Sequence, residues 1–177
     1  LRQSGFTDIT ILDCVKEGLS FNGLSERFKE LKPKIVGFQV FSYDFDSVVR
    51  SIGILKKVCP ETTILIGGAH VSATSMTVLE EIEEADYGFA GEGEIGLPML
   101  AKHILRDEII PLESIPGLIW RNGSSICNNE RAGTEDLDSL GFQAWDLMEP
   151  VSYNGSPQGG FYKRFPIAPI STTRGCP

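Results

Sequence analysis

Three short loops and one cysteine hold the residue types that chemistry needs. Phe41-Ser42-Tyr43-Asp44, Gly67-Gly68-Ala69-His70 and Gly91-Glu92-Gly93-Glu94 each follow an apolar run, and Arg174-Gly175-Cys176-Pro177 follows a fourth. Paired glycines let a backbone turn where a Cβ would collide, and they leave room for a large flat group beside a strand end. Ser42 offers a short hydroxyl, and Glu94 falls where a helix start favours an anion. Each residue also has a plainer reading. Ser42 or Asp44 alone suits a helix cap, Glu92 and Glu94 suit a turn, and His70 suits a loop cap rather than a metal ligand. His103 falls on a solvated helix face. No Ser-His-Asp set, metal cluster or complete phosphate loop emerges from spacing.

The elements that must position these loops alternate regularly. "ITILD" (9–13), "KIVGFQVF" (34–41), "TTILI" (62–66) and "DYGFA" (86–90) read as strands. The second of these is apolar enough to be buried on both faces. Between them lie helical periods: Leu24, Phe28 and Leu31 in one, Phe45, Val48, Val49, Ile52 and Leu55 in the next, then "SMTVLEEIEEA" and "EIGLPMLAKHILR". Pro98 is tolerated in the first turn of the last helix. Strand and helix in strict alternation predict an α/β fold, a flavodoxin-like doubly wound parallel sheet with right-handed crossovers. In such sheets ligands bind outside the strand carboxyl ends, where all three loops fall.

"LRQSGF" reads as the tail of a helix with Gly5 at its C-cap, so a first strand and most of a helix are expected upstream. After residue 110 the pattern changes. Residues 118–127 read as a hairpin outside the main sheet, turning in type I′ geometry at Asn122-Gly123. From 128 to 170 the chain reads as an irregular connector docked by Phe142, Trp145, Phe161 and Phe165. The organisation expected is therefore an α/β domain over 1–110, a hairpin and connector over 111–170, and the opening of another domain at 171–177.

Composition narrows the partners. Sixteen basic against 24 acidic residues leave a net charge of -8, which argues against nucleic acid, since phosphate binding relies on Lys and Arg. No apolar run is long enough for a membrane span, and the start is no signal peptide. Cys14, Cys59, Cys127 and Cys176 are scattered, as in a reduced, cytoplasmic protein.

Taken in order, "VGFQVFSYDFDSV", "ILIGGAHVSA", "ADYGFAGEGE", "IPGLIWRNG", "EDLDSLGFQAWDL" and "STTRGCP" resemble the amino-terminal part of cobalamin-binding radical S-adenosylmethionine proteins. That family includes the anaerobic magnesium-protoporphyrin IX monomethyl ester cyclases. The resemblance implies a cobalamin tail near Ser42, Tyr43, Gly67, Gly68, His70, Gly91 and Glu92, with no catalytic residue in this stretch. It implies that Cys176 is the first cysteine of a Cys-x-x-x-Cys-x-x-Cys loop holding a 4Fe-4S cluster beside S-adenosylmethionine in the full-length enzyme. One cysteine cannot hold such a cluster, so the stretch alone is expected to be inactive. The implied partners are a small-molecule substrate, with a porphyrin the best-known case, and a carboxyl-terminal radical barrel of the same protein. The histidine that ligates cobalt in many cobalamin domains follows a strand absent here, and His70 is not in its place. Part of the pocket wall is expected to lie in that strand and its loop, so the intact protein is expected to bind cobalamin at the strand carboxyl ends and this stretch weakly or not at all; in the intact protein Gly68→Val is expected to abolish binding while sparing the fold. A substrate-docking or scaffold domain that has lost the corrinoid is the alternative. An unrelated receiver or nucleotide binder fits the terminal motifs less well.

Overall fold

The computed structural model describes residues 1–133, 136–153, 163, 164, 166, 167, 170, 173 and 174. Cys176, Phe161 and Phe165 lie outside the described residues. The chain forms two units, one of Leu1–Thr7 with Leu19–Thr134, the other of Asp8–Gly18 with Glu135–Pro177.

The first unit opens on a 3-10 turn, Arg2–Ser4, closed by Gly5 at φ 80°. The Gly5 carbonyl accepts a hydrogen bond from Arg106 at 3.0 Å, and the guanidinium lies 4.4 Å from the Phe6 ring. Ser20 caps helix α1 (Phe21–Leu31) by accepting the Gly23 N–H at 3.2 Å. Leu24 and Phe28 are buried, but Leu31 is 39% exposed, because the chain turns away at Lys32 with φ 44°. There follow β1 (Ile35–Gln39), α2 (Phe45–Val58), β2 (Thr63–Gly67), α3 (Ala69–Thr74) and α4 (Thr77–Glu81). The series ends with β3 (Tyr87–Phe89), α5 (Gly96–Arg106), β4 (Leu118–Asn122) and β5 (Ser125–Asn128).

Strands β1, β2 and β3 pair in parallel in chain order, as the α/β alternation requires. The hairpin is not outside this sheet. Strand β4 pairs antiparallel with β3, Leu118 opposite Phe89, so the sheet has five strands in the order β1-β2-β3-β4-β5. The turn also differs from expectation. Asn122 pairs with Ser125, leaving Gly123-Ser124 as the loop, and of these two only Gly123 has positive φ (61°). That is the type II′ pattern, which needs glycine first, rather than I′.

Strand β2 is buried through Ile64, Leu65 and Ile66, as a central strand should be. Strand β1 is equally apolar in sequence but lies at the sheet edge, and its Gly37 and Gln39 are exposed. Phe89, Leu65 and Leu118 pack with Leu100 of α5 on one face. On the other face a Cβ at Gly88 would touch Ile119 and Val71 of α3, so helices cover both sides. The helix expected over 75–85 is shorter, Thr77–Glu81, and a further short helix, α3, precedes it. Ser75 adopts φ 56°, separating α3 from α4, and its hydroxyl accepts a hydrogen bond from Asn128 of β5 at 2.8 Å.

"ITILD" forms no strand. Among the described residues nothing pairs with it, and an extended segment without a partner leaves its N–H and C=O groups to water. It belongs instead to the second unit. There the Asp13 carboxylate accepts the N–H groups of Val15 and Lys16 at 3.1 and 3.0 Å, and the Tyr153 hydroxyl at 2.7 Å. Lys16 donates to the Met148 carbonyl at 3.2 Å and lies 4.9 Å from the centre of the Tyr153 ring. The connector contributes short turns at Leu137–Leu140 and Pro150–Ser152 and one helical turn, α6 (Trp145–Met148). Phe142, expected as a docking residue, is 99% exposed.

Two outcomes follow from these contacts. Gly68 has φ 107° and ψ -171°, a region open essentially to glycine alone, and an added Cβ would lie 2.8 Å from the Val40 carbonyl oxygen. Gly68→Ala should therefore destabilise by about 1–3 kcal/mol from backbone strain alone. Gly67→Ala, whose Cβ meets nothing nearer than 3.9 Å, should be neutral or slightly stabilising in thermal unfolding. Equal melting losses would contradict this account.

The second outcome concerns Asp13 and Tyr153. Burial works to raise the Asp13 carboxyl, but the Lys16 N–H and the Tyr153 hydroxyl outweigh it and hold it below its ordinary value. Burial, the hydrogen bond and the charge of Asp13 together push the Tyr153 hydroxyl up to about 12. The Tyr153 contribution is present below its ordinary ionisation at 10.0 and is lost as pH climbs through about 12. The Asp13 contribution is present above 3.8 and is lost as pH falls through its lowered value. Tyr153→Phe should expose residues 8–18 to faster limited proteolysis at neutral pH, and raising the wild type to alkaline pH should mimic it. Unchanged cleavage in the variant would show that the contact holds nothing.

Candidate functional site

The site grows from the way β1 and β2 end together. The Val40 N–H donates to the Gly67 carbonyl at 2.7 Å, and the His70 N–H donates to the Val40 carbonyl at 3.1 Å. The glycine between is there because backbone passes so close. Gly68 therefore serves the fold, and the expectation that valine there would spare the fold is overturned by the collision with Val40.

Beyond Val40 the Asp44 carboxylate accepts the Phe41 N–H at 2.9 Å, while the Asp44 N–H reaches the Phe41 carbonyl at 3.2 Å. Asp44 occupies the cap position of α2 but makes no side-chain cap. Its carboxylate closes the preceding loop instead. That closed loop turns Ser42 and Tyr43 outward, with Tyr43 85% exposed and its ring stacked on Phe41 at 5.4 Å and 13°. Ser42 Oγ lies 3.0 Å from His70 Nδ1, joining the first loop to the start of α3. The His70 ring packs 5.0 Å from that of Phe45, tilted by 51°, and its Nε2 is buried without a hydrogen-bond partner.

The third loop is tied to the same helix. Gly91, at φ 86°, donates its N–H to Ser72 Oγ at 2.9 Å. Arg131 donates to the Ser72 carbonyl at 2.6 Å, and its side chain lies over Gly91, where a Cβ would come within 3.2 Å of Cδ. Helix α3 thus bridges both neighbouring loops, through His70 on one side and Ser72 on the other. Glu92 follows, half-buried, and Glu94 lies just before Ile95, the uncapped entry to α5.

Of the residues expected from sequence, Ser42 and His70 are in direct contact, Gly67 and Gly68 form the bend between them, and Tyr43 and Gly91 occupy the adjoining loops. Sequence reasoning missed Ser72 and Arg131. Ser72 falls on the short α3, which carried no periodic signal of its own. Arg131 follows the hairpin, and nothing in spacing links it to Gly91.

A serine beside a histidine raises the question of nucleophilic catalysis. Among the described residues no carboxylate orients the imidazole, whose second nitrogen is buried and unpaired, so the usual base–orienter arrangement is not formed by them. Among the described residues no group of three or more His, Cys, Asp and Glu could hold a metal. What the rim offers is an exposed hydroxyl, a stacked aromatic pair with Tyr43 exposed, and a glycine-lined backbone. Two open clefts lie elsewhere. One, of about 470 Å³, lies between α4 and the hairpin beside Arg121, and one of about 380 Å³ lies at the strand amino ends among Lys29, Lys32 and Lys34. Neither is lined by Ser42 or His70. No helix among the described residues is long and apolar enough to cross a membrane.

The chain is 27% identical over 179 residues to the anaerobic magnesium-protoporphyrin IX monomethyl ester cyclase of Cereibacter sphaeroides, covering all of this chain and 28% of that protein. It is 27% identical over 180 residues to the enzyme of the same name from Rubrivivax gelatinosus, covering all of this chain and 31% of the relative. An uncharacterized methyltransferase of Pyrococcus horikoshii is 25% identical over 174 residues, 96% of this chain and 35% of its own. The chain thus spans about a third of the length of these relatives. Among solved structures, the cobalamin-dependent S-adenosylmethionine radical enzyme OxsB, with aqua-cobalamin bound, shares the fold at a TM-score of 0.60. That likeness covers 70% of this chain and 17% of OxsB at 16% identity. The B12 binding domain model matches residues 1–101, and with more than half of its length so matched, the chain belongs to the B12 binding domain family.

Proposed function

We propose that this chain is the cobalamin-holding part of a radical S-adenosylmethionine enzyme, a cyclase or a methyltransferase acting on a small molecule. The observation that carries the reading is the family match over residues 1–101. The match spans all three loops gathered at the strand carboxyl ends, where α/β sheets bind their ligands. The rim fits the tail of a corrinoid. Ser42 supplies an exposed hydroxyl, and Phe41 with Tyr43 supplies a flat apolar face. The rim does not fit a cobalt-ligating role for His70, whose Nδ1 faces Ser42 and whose Nε2 is buried. When bound, cobalamin would supply methyl transfer or one-electron chemistry, and this chain's residues would hold and orient its tail.

In the intact enzyme Cys176 would be one ligand of a 4Fe-4S cluster that cleaves S-adenosylmethionine, with the radical barrel and the substrate, a porphyrin in the cyclase case, on the carboxyl-terminal side. The cyclase names of two relatives support a ring-forming oxidation, and the third relative supports methyl transfer.

Titration with hydroxocobalamin, followed by equilibrium dialysis and visible absorbance, tests the reading. The intact enzyme should bind, and Ser42→Ala in it should weaken binding about tenfold, the loss of one hydrogen bond. His70→Ala should leave the cobalt absorbance bands of the bound cofactor unmoved. An intact enzyme that takes up no cofactor would favour a scaffold that has lost the corrinoid, and bands that shift with His70 would make it a cobalt ligand after all.

A further inference from the structure

His70 is the described histidine whose two nitrogens stand in opposite surroundings: Nδ1 is 3.0 Å from Ser42 Oγ, and Nε2 is buried without a partner. A neutral imidazole carries one proton, and its position decides what Ser42 can do. With the proton on Nε2, a buried N–H would have no acceptor, and Nδ1 would take the hydroxyl proton of Ser42. With the proton on Nδ1, the ring donates to Oγ and leaves only a bare lone pair buried. Orphaned buried N–H groups are rarer in folded proteins than under-satisfied acceptors. Phe45, packed 5.0 Å from the imidazole, is an apolar neighbour and supplies no oxygen or nitrogen to accept that proton.

We infer that His70 is a positioning residue that keeps its proton on Nδ1, and so fixes Ser42 as a hydrogen-bond donor toward the ligand. With Oγ accepting from the imidazole, the hydroxyl hydrogen swings to the exposed side of the loop. The matching group on the ligand is an acceptor without a hydrogen, such as an unprotonated ring nitrogen or an amide or phosphate oxygen. A ligand presenting only N–H at that point would meet a donor facing a donor. This rests on the cofactor reading above, but the proton's position can be measured on the free chain.

Long-range proton–nitrogen correlation spectra of the histidine-labelled chain read the tautomer directly. The expected pattern is a pyrrole-type Nδ1 and a pyridine-type Nε2 for His70, assigned by its loss in His70→Phe. The reverse pattern overturns the inference. Hydroxocobalamin binding by the intact enzyme tests the consequence. Ser42→Ala and His70→Phe should each weaken affinity about tenfold, and the double variant should be no weaker than either, because both remove the same donor. Losses that multiply would mean that His70 acts independently of Ser42, which also overturns it. His70→Asn, which places an amide N–H near the position of Nδ1, should restore affinity, whereas His70→Gln, which mimics Nε2, should not. Rescue by glutamine instead of asparagine would refute the assignment. If the wild type binds no cobalamin, the cofactor reading and the ligand half of this inference both fail, and the nitrogen shifts still decide the polarity of the pair.

Discussion

The close approach of Gly68 to Val40 is the constraint on which the rest of the site depends. Two parallel strands end at the same level, and the chain leaving β2 must pass over the last peptide of β1 at a distance no side chain permits. That passage allows the His70 N–H to take the Val40 carbonyl, which starts α3 at once, without a loop. His70 and Ser72 are then placed by the first turns of one short helix. His70 reaches back to Ser42, and Ser72 reaches forward to Gly91. The helix is a spacer between two loops, with its polar side chains serving as the ties.

The hairpin is the second support. Asn129, just past β5, accepts from the Trp120 indole at 3.2 Å and donates to the carbonyls of Leu112 and Ile115 at 2.7 and 2.8 Å. One amide side chain so fastens β4 and the turn before it. The Gly117 N–H takes the Glu130 carbonyl at 2.8 Å, which delivers Arg131 to the Gly91 loop. An antiparallel addition to a parallel sheet thereby supplies a cation to the rim in a chain of net charge -8.

The parallel strands were legible because continuous apolar runs bounded by glycine leave few alternatives, and the three rim loops followed from the rule that α/β sheets bind ligands at their carboxyl ends. What could not be read depended on partners distant in sequence. "ITILD" has the composition of a strand, but a strand exists only with a neighbour, and pairing is not written into five residues. The hairpin's membership of the sheet turned on β3 being free on one side, and β1's exposure turned on its being an edge; neither is a property of the segment itself. Ser75 shows the same limit locally. It adopts a positive φ, and its hydroxyl is bonded to Asn128, a residue with no periodic relation to it. Contact between Ser42 and His70 was implicit in their shared rim, but the burial of one imidazole nitrogen was not.

The tie between Asp13 and Tyr153 spans 140 positions of the chain. Closing so long a loop in an unfolded chain costs on the order of 4 kcal/mol of entropy, far more than one hydrogen bond returns. The tie is therefore not left to one bond: Lys16 also reaches the Met148 carbonyl and lies against the Tyr153 ring. In synthesis, residues 8–18 are made well before these partners, and the segment waits for a neighbour 140 positions later.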